Sequence, residues 1–202
     1  MTRRFAVTFD YLCPFARNAH EHVLAGLADD ADWDVTFTPY SLAQGHVEEG
    51  EPDLWEDERA TTAPGLLALQ VGLAVRDHEP ESFPRVHGAL FAARHDEGRD
   101  LKDREVVRDV LVGAGVDADE VFGIVDDGGP LKTLRSEHEA AVDRHHVWGV
   151  PTFIAGDRAV FVRFLDRPDG DAALARRRIQ HALDLVVGEP MLHEFKQTDL
   201  PV

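Results

Sequence analysis

A chain of 202 residues, 44% hydrophobic and 29% charged, is long enough to bury one sizeable core and too apolar to stay disordered. Its 38 acidic against 21 basic residues leave a net charge of -17, spread along the chain, which argues against nucleic acid or an anionic membrane surface as partner. One cysteine, Cys13, excludes an internal disulfide and any cysteine-based structural zinc site.

Arg3 and Arg4 sit where a twin-arginine signal would, but the "FAV" after them is far too short for an export segment. No run approaches the ~18 apolar residues of a membrane helix. The expectation is a soluble cytoplasmic protein, with no membrane partner.

In chain order, "RFAVTFDY" (residues 4–11) alternates β-branched and aromatic residues and predicts a strand. Pro14 suits the first turn of a helix, whose apolar face is Phe15, Ala19, Val23 and Leu27. "WDVTFTPYSL" (residues 33–42) predicts a second strand, stopped near Pro39. Residues 48–57 read as a polar loop. Helical periods follow over residues 64–75, 83–95, 103–115, 117–125 and 131–147, with Asp103 and Asp117 as N-caps, Glu120 completing a capping box, and "GGP" at 128–130 as a break. The period then returns to two. "VPTFIAG" and "RAVFVRF" predict strands joined by a tight turn at Gly156-Asp157, followed by a helix over residues 169–188 and a tail packed down only in part. This order predicts an α/β protein: residues 1–47 and 148–188 form two halves of one sheet domain, 48–147 a helical insert, and 189–202 a tail. The pattern does not fix the strand order.

Cys13 lies between the first strand and Pro14. A helix N-terminus offers unpaired N–H groups and partial positive charge, which lower a thiol from ~8.5 to between ~3.5 and ~7.5. The residues therefore predict a reactive thiolate. A buried, inert cysteine is the alternative.

"FDYLCPFA" followed by "WGVPTFI" resembles the DsbA-like branch of the thioredoxin superfamily, which includes 2-hydroxychromene-2-carboxylate isomerase-like and mycothiol-dependent reductase-like proteins. The resemblance implies a thioredoxin-like fold with a helical insert subdomain, a nucleophilic Cys13, and a cis bond at Val150-Pro151 beside it. It differs from the Cys-x-x-Cys pattern in one place: Ala16 stands where a resolving cysteine would be. A dithiol oxidase cycle is thus excluded. What remains is a DsbA-like thiol oxidoreductase, or a small-thiol-dependent reductase or transferase. Cys13 would be its nucleophile, and Pro14, Phe15, Trp148, Val150 and Pro151 would bind substrate. The partners implied are a mycothiol- or glutathione-type thiol as co-substrate, no tightly bound cofactor, and a disulfide or electrophilic substrate. The oligomeric state stays open, a homodimer included. A non-redox peptide- or ligand-binding module with a remnant cysteine is the alternative function. Trp148 and Phe15 read equally well as a wall for a flat substrate and as core.

Eleven histidines do not make a metal motif. His20 and His22 are two apart on a helix, His145 and His146 are adjacent, and "HEAAVDRH" is longer than a His-Glu-x-x-His repeat. His145 and His146 stand close in sequence to Pro151, although a surface helix end explains them better. No Gly-x-Gly-x-x-Gly or Gly-x-Ser-x-Gly is present, so neither a dinucleotide fold nor a nucleophile elbow is supported. The acidic loop runs read as solvated surface.

Overall fold

The computed structural model describes residues 2–48, 50–56, 59–192, 194 and 196. Strand β1 (Arg3–Phe9), helix α1 (Pro14–Ala28) and strand β2 (Trp33–Pro39) form a parallel β-α-β unit. Two four-residue helices, α2 (Leu42–Gly45) and α3 (Arg59–Thr62), flank a 3-10 turn at Leu54–Glu56 in the predicted loop. Such segments are too short to show a helical period. Then come α4 (Leu66–His78), α5 (Phe83–His95), α6 (Arg104–Gly113), α7 (Ala118–Asp126) and α8 (Gly129–His145). The chain returns to β3 (Thr152–Ala155), β4 (Arg158–Phe161) and α9 (Ala172–Gly188).

The strand order is β2-β1-β3-β4. β1 runs parallel to β2 and antiparallel to β3, and β4 is antiparallel to β3. Period-two alternation sends Phe5, Val7, Phe9 and Phe153 to one face. Phe9 meets the ring of His20 from α1 there, and α9 lies against α1. The other face carries Ala6, Thr36, Thr38 and Ile154, which share a cleft of about 510 Å³ with α8. His145 lines that cleft, and His146 caps α8 in a left-handed conformation. Helices on both faces cover β1 from Phe5 to Phe9, where every residue is buried or half-buried.

Helices α4 to α8 pack on one another, α5 leans on α1, and α8 reaches β2. Arg76 of α4 holds this joint. It donates two bonds to Glu137 of α8, at 2.6 and 2.8 Å, and one to the Phe37 carbonyl, at 2.8 Å. Asp103 and Asp117 cap α6 and α7 as predicted, Asp117 accepting from Asp119 and Glu120. Gly128 sits left-handed before α8, with Pro130 in the first turn.

Several boundaries move. β1 stops at Phe9 because Asp10 turns the chain. Its Oδ1 accepts the Leu12 N–H at 2.9 Å, and its carbonyl accepts the Cys13 N–H at 3.0 Å. α4 starts at Leu66, one residue after Gly65, whose φ of +81° excludes most side chains. A Cβ on Gly65 would also lie 3.1 Å from Asp10 Oδ1. β4 ends at Phe161, although the Val162 N–H still reaches the Pro151 carbonyl at 3.1 Å. Of the tail, residues 193, 195 and 197–202 lie outside the described residues, and Met191 is exposed.

Candidate active site

The turn made by Asp10 delivers Cys13 to the N-cap of α1, in extended conformation (φ -91°, ψ 117°). Cys13 Sγ accepts the Ala16 N–H at 3.4 Å. Its S–H donates to the Val150 carbonyl at 3.3 Å, across 137 residues of sequence. The Val150–Pro151 bond is cis. The turn around it is pinned on both sides. The Thr152 N–H donates to Thr8 Oγ1 at 2.8 Å, and Thr152 Oγ1 donates to the Gly149 carbonyl at 2.8 Å. Sequence positions 13 and 150 are thus brought together by β1 and β3 being neighbours in the sheet.

The expected acidic thiolate is corrected by this geometry. Cys13 is only 8% exposed, and burial pushes its thiol above the ordinary value. The Ala16 and Phe15 N–H groups pull it down, as the helix start predicts, but by less. The Asp10 carboxylate adds to the rise and Arg163 opposes it. The Val150 carbonyl also accepts a proton that only the neutral thiol carries. Helix position alone did not reveal how deeply the sulfur sits.

Asp10 was not anticipated. It is fully buried and accepts the N–H groups of Leu12 and Leu42, at 2.9 and 2.8 Å. Burial lifts its carboxyl to about 6, against the lowering effect of those two bonds and of His46. It ties the Cys13 turn to the exit of β2. The only hint in the sequence was an aspartate closing a strand three residues before the cysteine.

Pro14 is exposed at the first turn of α1, and Pro151 is buried. Phe15 is half-buried beneath the Arg163 guanidinium, 5.2 Å from its ring centroid. Trp148 is 70% exposed and leans on Phe161, with ring centroids 4.6 Å apart. Trp148 is therefore not core. Phe161 and Arg163 went unnoticed because the strand pattern marks which residues alternate and not which face meets Cys13.

A second polar feature lies behind the site. The Tyr11 hydroxyl is 2.8 Å from His87 Nδ1, His87 Nε2 is 2.8 Å from His20 Nδ1, and His20 Nε2 is 3.1 Å from the Thr8 carbonyl. A carbonyl only accepts, so His20 Nε2 carries a proton. Each other bond then runs one way: Tyr11 donates to His87, and His87 donates to His20. All three side chains are fully buried. Burial lowers His20 to about 4 and His87 well below its ordinary value, so both rings are neutral. A methyl on Gly72 of α4 would run into the Tyr11 hydroxyl, so glycine makes room for the chain.

The sequence matches the DSBA-like thioredoxin domain over residues 6–169. The chain belongs to this family. A search of curated proteins finds no match in sequence. Among solved structures, 2-hydroxychromene-2-carboxylate isomerase is 18% identical, with 90% of this chain and 96% of that one covered and a TM-score of 0.61. The cytosolic disulfide reductase DsbM from Pseudomonas aeruginosa, determined with GSH, is 17% identical over 90% of this chain and 100% of its own, with a TM-score of 0.61. A probable DsbA oxidoreductase from Streptomyces coelicolor is 17% identical over 96% and 94%, again with a TM-score of 0.61. At these identities the likeness is one of fold, and it supports the thioredoxin-like architecture with its helical insert. Within this DsbA-like chain, Ala16 is fully buried one turn into α1, three residues after Cys13.

Proposed function

We propose that this chain is a single-thiol oxidoreductase or transferase. Cys13 attacks a disulfide or an electrophile, and a small thiol of mycothiol or glutathione type completes the cycle. The observation that carries this is Cys13 Sγ at the start of α1, between the Ala16 N–H and the Val150 carbonyl, in a chain with no second cysteine. Once the proton leaves, the Ala16 and Phe15 N–H groups face the sulfur charge. Attack on a disulfide forms a bond from Cys13 to one sulfur and expels the other as a thiolate. Ala16 offers no thiolate to break the new bond, so an outside thiol must do so.

Burial of the Cys13 thiol supports one direction of exchange over the other. A strong disulfide donor needs its reduced cysteine stabilised as thiolate. Burial does the opposite here. Each thiolate of Cys13 is a better nucleophile and a poorer leaving group, which suits reduction or group transfer rather than disulfide donation. Pro14, Phe15, Trp148, Val150 and Pro151 form the proposed substrate wall. A lone thiol that depends on a reducing pool fits the cytoplasm, and a cytosolic relative determined with GSH supports both parts of that reading.

One observation favours the alternative, a non-redox binding module: the buried Cys13 thiol already has a partner in Val150. The test is intact-mass spectrometry after incubation with glutathione disulfide at pH 8. Expected is one glutathione adduct per chain, absent in Cys13→Ser, that persists until reduced thiol is added. A wild-type chain that takes no adduct over hours would leave the binding module as the better reading.

A further inference from the structure

We propose that Arg163 is a specificity residue that draws the carboxylate of an aromatic or otherwise flat substrate onto the shelf beside Cys13. This rests on Cys13 being the reacting thiol. Arg163 follows β4, and the period of two puts it on the same side as Phe161. Its guanidinium lies 5.2 Å from the Phe15 ring centroid and 6.0 Å from that of Phe161. Two aromatic faces thus hold a planar fork in place while leaving its N–H donors to solvent.

What Arg163 lacks is a carboxylate. Acidic residues outnumber basic ones by 38 to 21. Glu21 and Asp96 are engaged by Arg167, Asp96 also by Arg17, and Asp166, three residues after Arg163, by Arg178. Among the described residues no carboxylate lies within ion-pair distance of Arg163. It is close enough to Cys13 to act on the thiol's charge. Trp148, 70% exposed against Phe161, extends the shelf with an apolar face that the core does not use. Arg163 lies over Phe15, two residues from Cys13, and Trp148 stands two residues from Val150, whose carbonyl holds the thiol; a cation, a nucleophile and an exposed aromatic face so placed describe a ligand with three matching parts. These are an anion for Arg163, a flat body for Trp148 and Phe161, and an electrophilic atom or sulfur for Cys13.

The carboxylate has two possible owners, the incoming substrate or the small thiol that releases it, and the two half-reactions separate them. In the first, Cys13 thiolate attacks an aryl disulfide. A bond forms between Cys13 and one sulfur, the aryl disulfide bond breaks, an aryl thiolate leaves, and the Cys13 proton goes to buffer. The probes are dithiobis(nitrobenzoate), which carries a carboxylate on each ring, and neutral dithiodipyridine. Wild type and Arg163→Gln are compared by the ratio of the two rates, which cancels any change in thiolate fraction. Expected is a fall in that ratio of about three- to tenfold in Arg163→Gln, partial retention in Arg163→Lys, and a smaller fall at high salt. In the second half-reaction the mixed disulfide is released by glutathione or by uncharged mercaptoethanol. A loss confined to glutathione assigns the carboxylate to the small thiol instead. Ratios unchanged by Arg163→Gln in both half-reactions overturn the proposal while leaving Cys13 reactive. Failure of Cys13 to react with either disulfide overturns the single-thiol reading, and this proposal with it.

Discussion

His138 supplies the sharpest test of how burial governs this molecule. Its ring, on α8, lies 4.4 Å from that of Tyr40, and its Nδ1 accepts the Ser41 N–H at 3.2 Å. That bond requires Nδ1 to be bare. A proton there would face another proton, in a site only 5% exposed. Burial accordingly lowers His138 from 6.5 to about 4, with Asp53 resisting weakly. At about 1.4 kcal/mol for each pH unit, the drop amounts to about 3 kcal/mol. The sign follows from which state binds protons first. Above pH 6.5 neither state is protonated and the group is neutral to stability. Between 6.5 and 4 the unfolded chain takes the proton and the native chain does not, so stability is lost as the pH falls. His138→Asn keeps an acceptor near Nδ1 and removes the titration. Expected is a variant less stable than wild type by about 1–2 kcal/mol at pH 7, through lost ring contacts. The gap should close with acid and reverse between about pH 6 and pH 5, leaving the variant the more stable by about 1–2 kcal/mol at pH 4. Urea unfolding from pH 7 to 4, followed by tryptophan fluorescence, measures it, and Trp55 beside His138 serves as local probe. Titrations elsewhere cancel in the difference. A gap that stays flat across this range would refute the linkage.

Two further outcomes concern the site. Alkylation of Cys13 followed against pH should show a midpoint above the free-thiol value of ~8.5, moved further up in Arg163→Gln, because burial outweighs the helix start; a wild-type midpoint below ~8.5 would show that it does not. Ala16→Cys places a thiol one turn into α1, three residues from Cys13, so its mixed disulfide should resolve within the chain and give an internal disulfide. An adduct as long-lived as that of wild type, read by mass, would mean that the two side chains do not meet.

The sequence by itself determined the longer elements and their order, because periodicity is local. Alternation marked β1 and β2, helical spacing marked α4 to α8, and Asp103, Asp117 and Pro14 marked helix starts by chemistry that needs no distant partner. It also fixed what the chain cannot do, since one cysteine allows no internal disulfide. Cys13, Val150 and Pro151 were legible because short motifs surround them. Tertiary structure decided the rest. Strand order placed β1 between β2 and β3, and only that order brings Val150 to Cys13. Burial decided the thiol's acidity, reversing the expectation drawn from the helix start, because desolvation depends on everything packed around the sulfur. Asp10, Arg163 and the Tyr11–His87–His20 chain were invisible for the same reason. Arg163 and Phe15 stand 148 residues apart in sequence, and no local pattern encodes which charges and rings a fold will bring within reach.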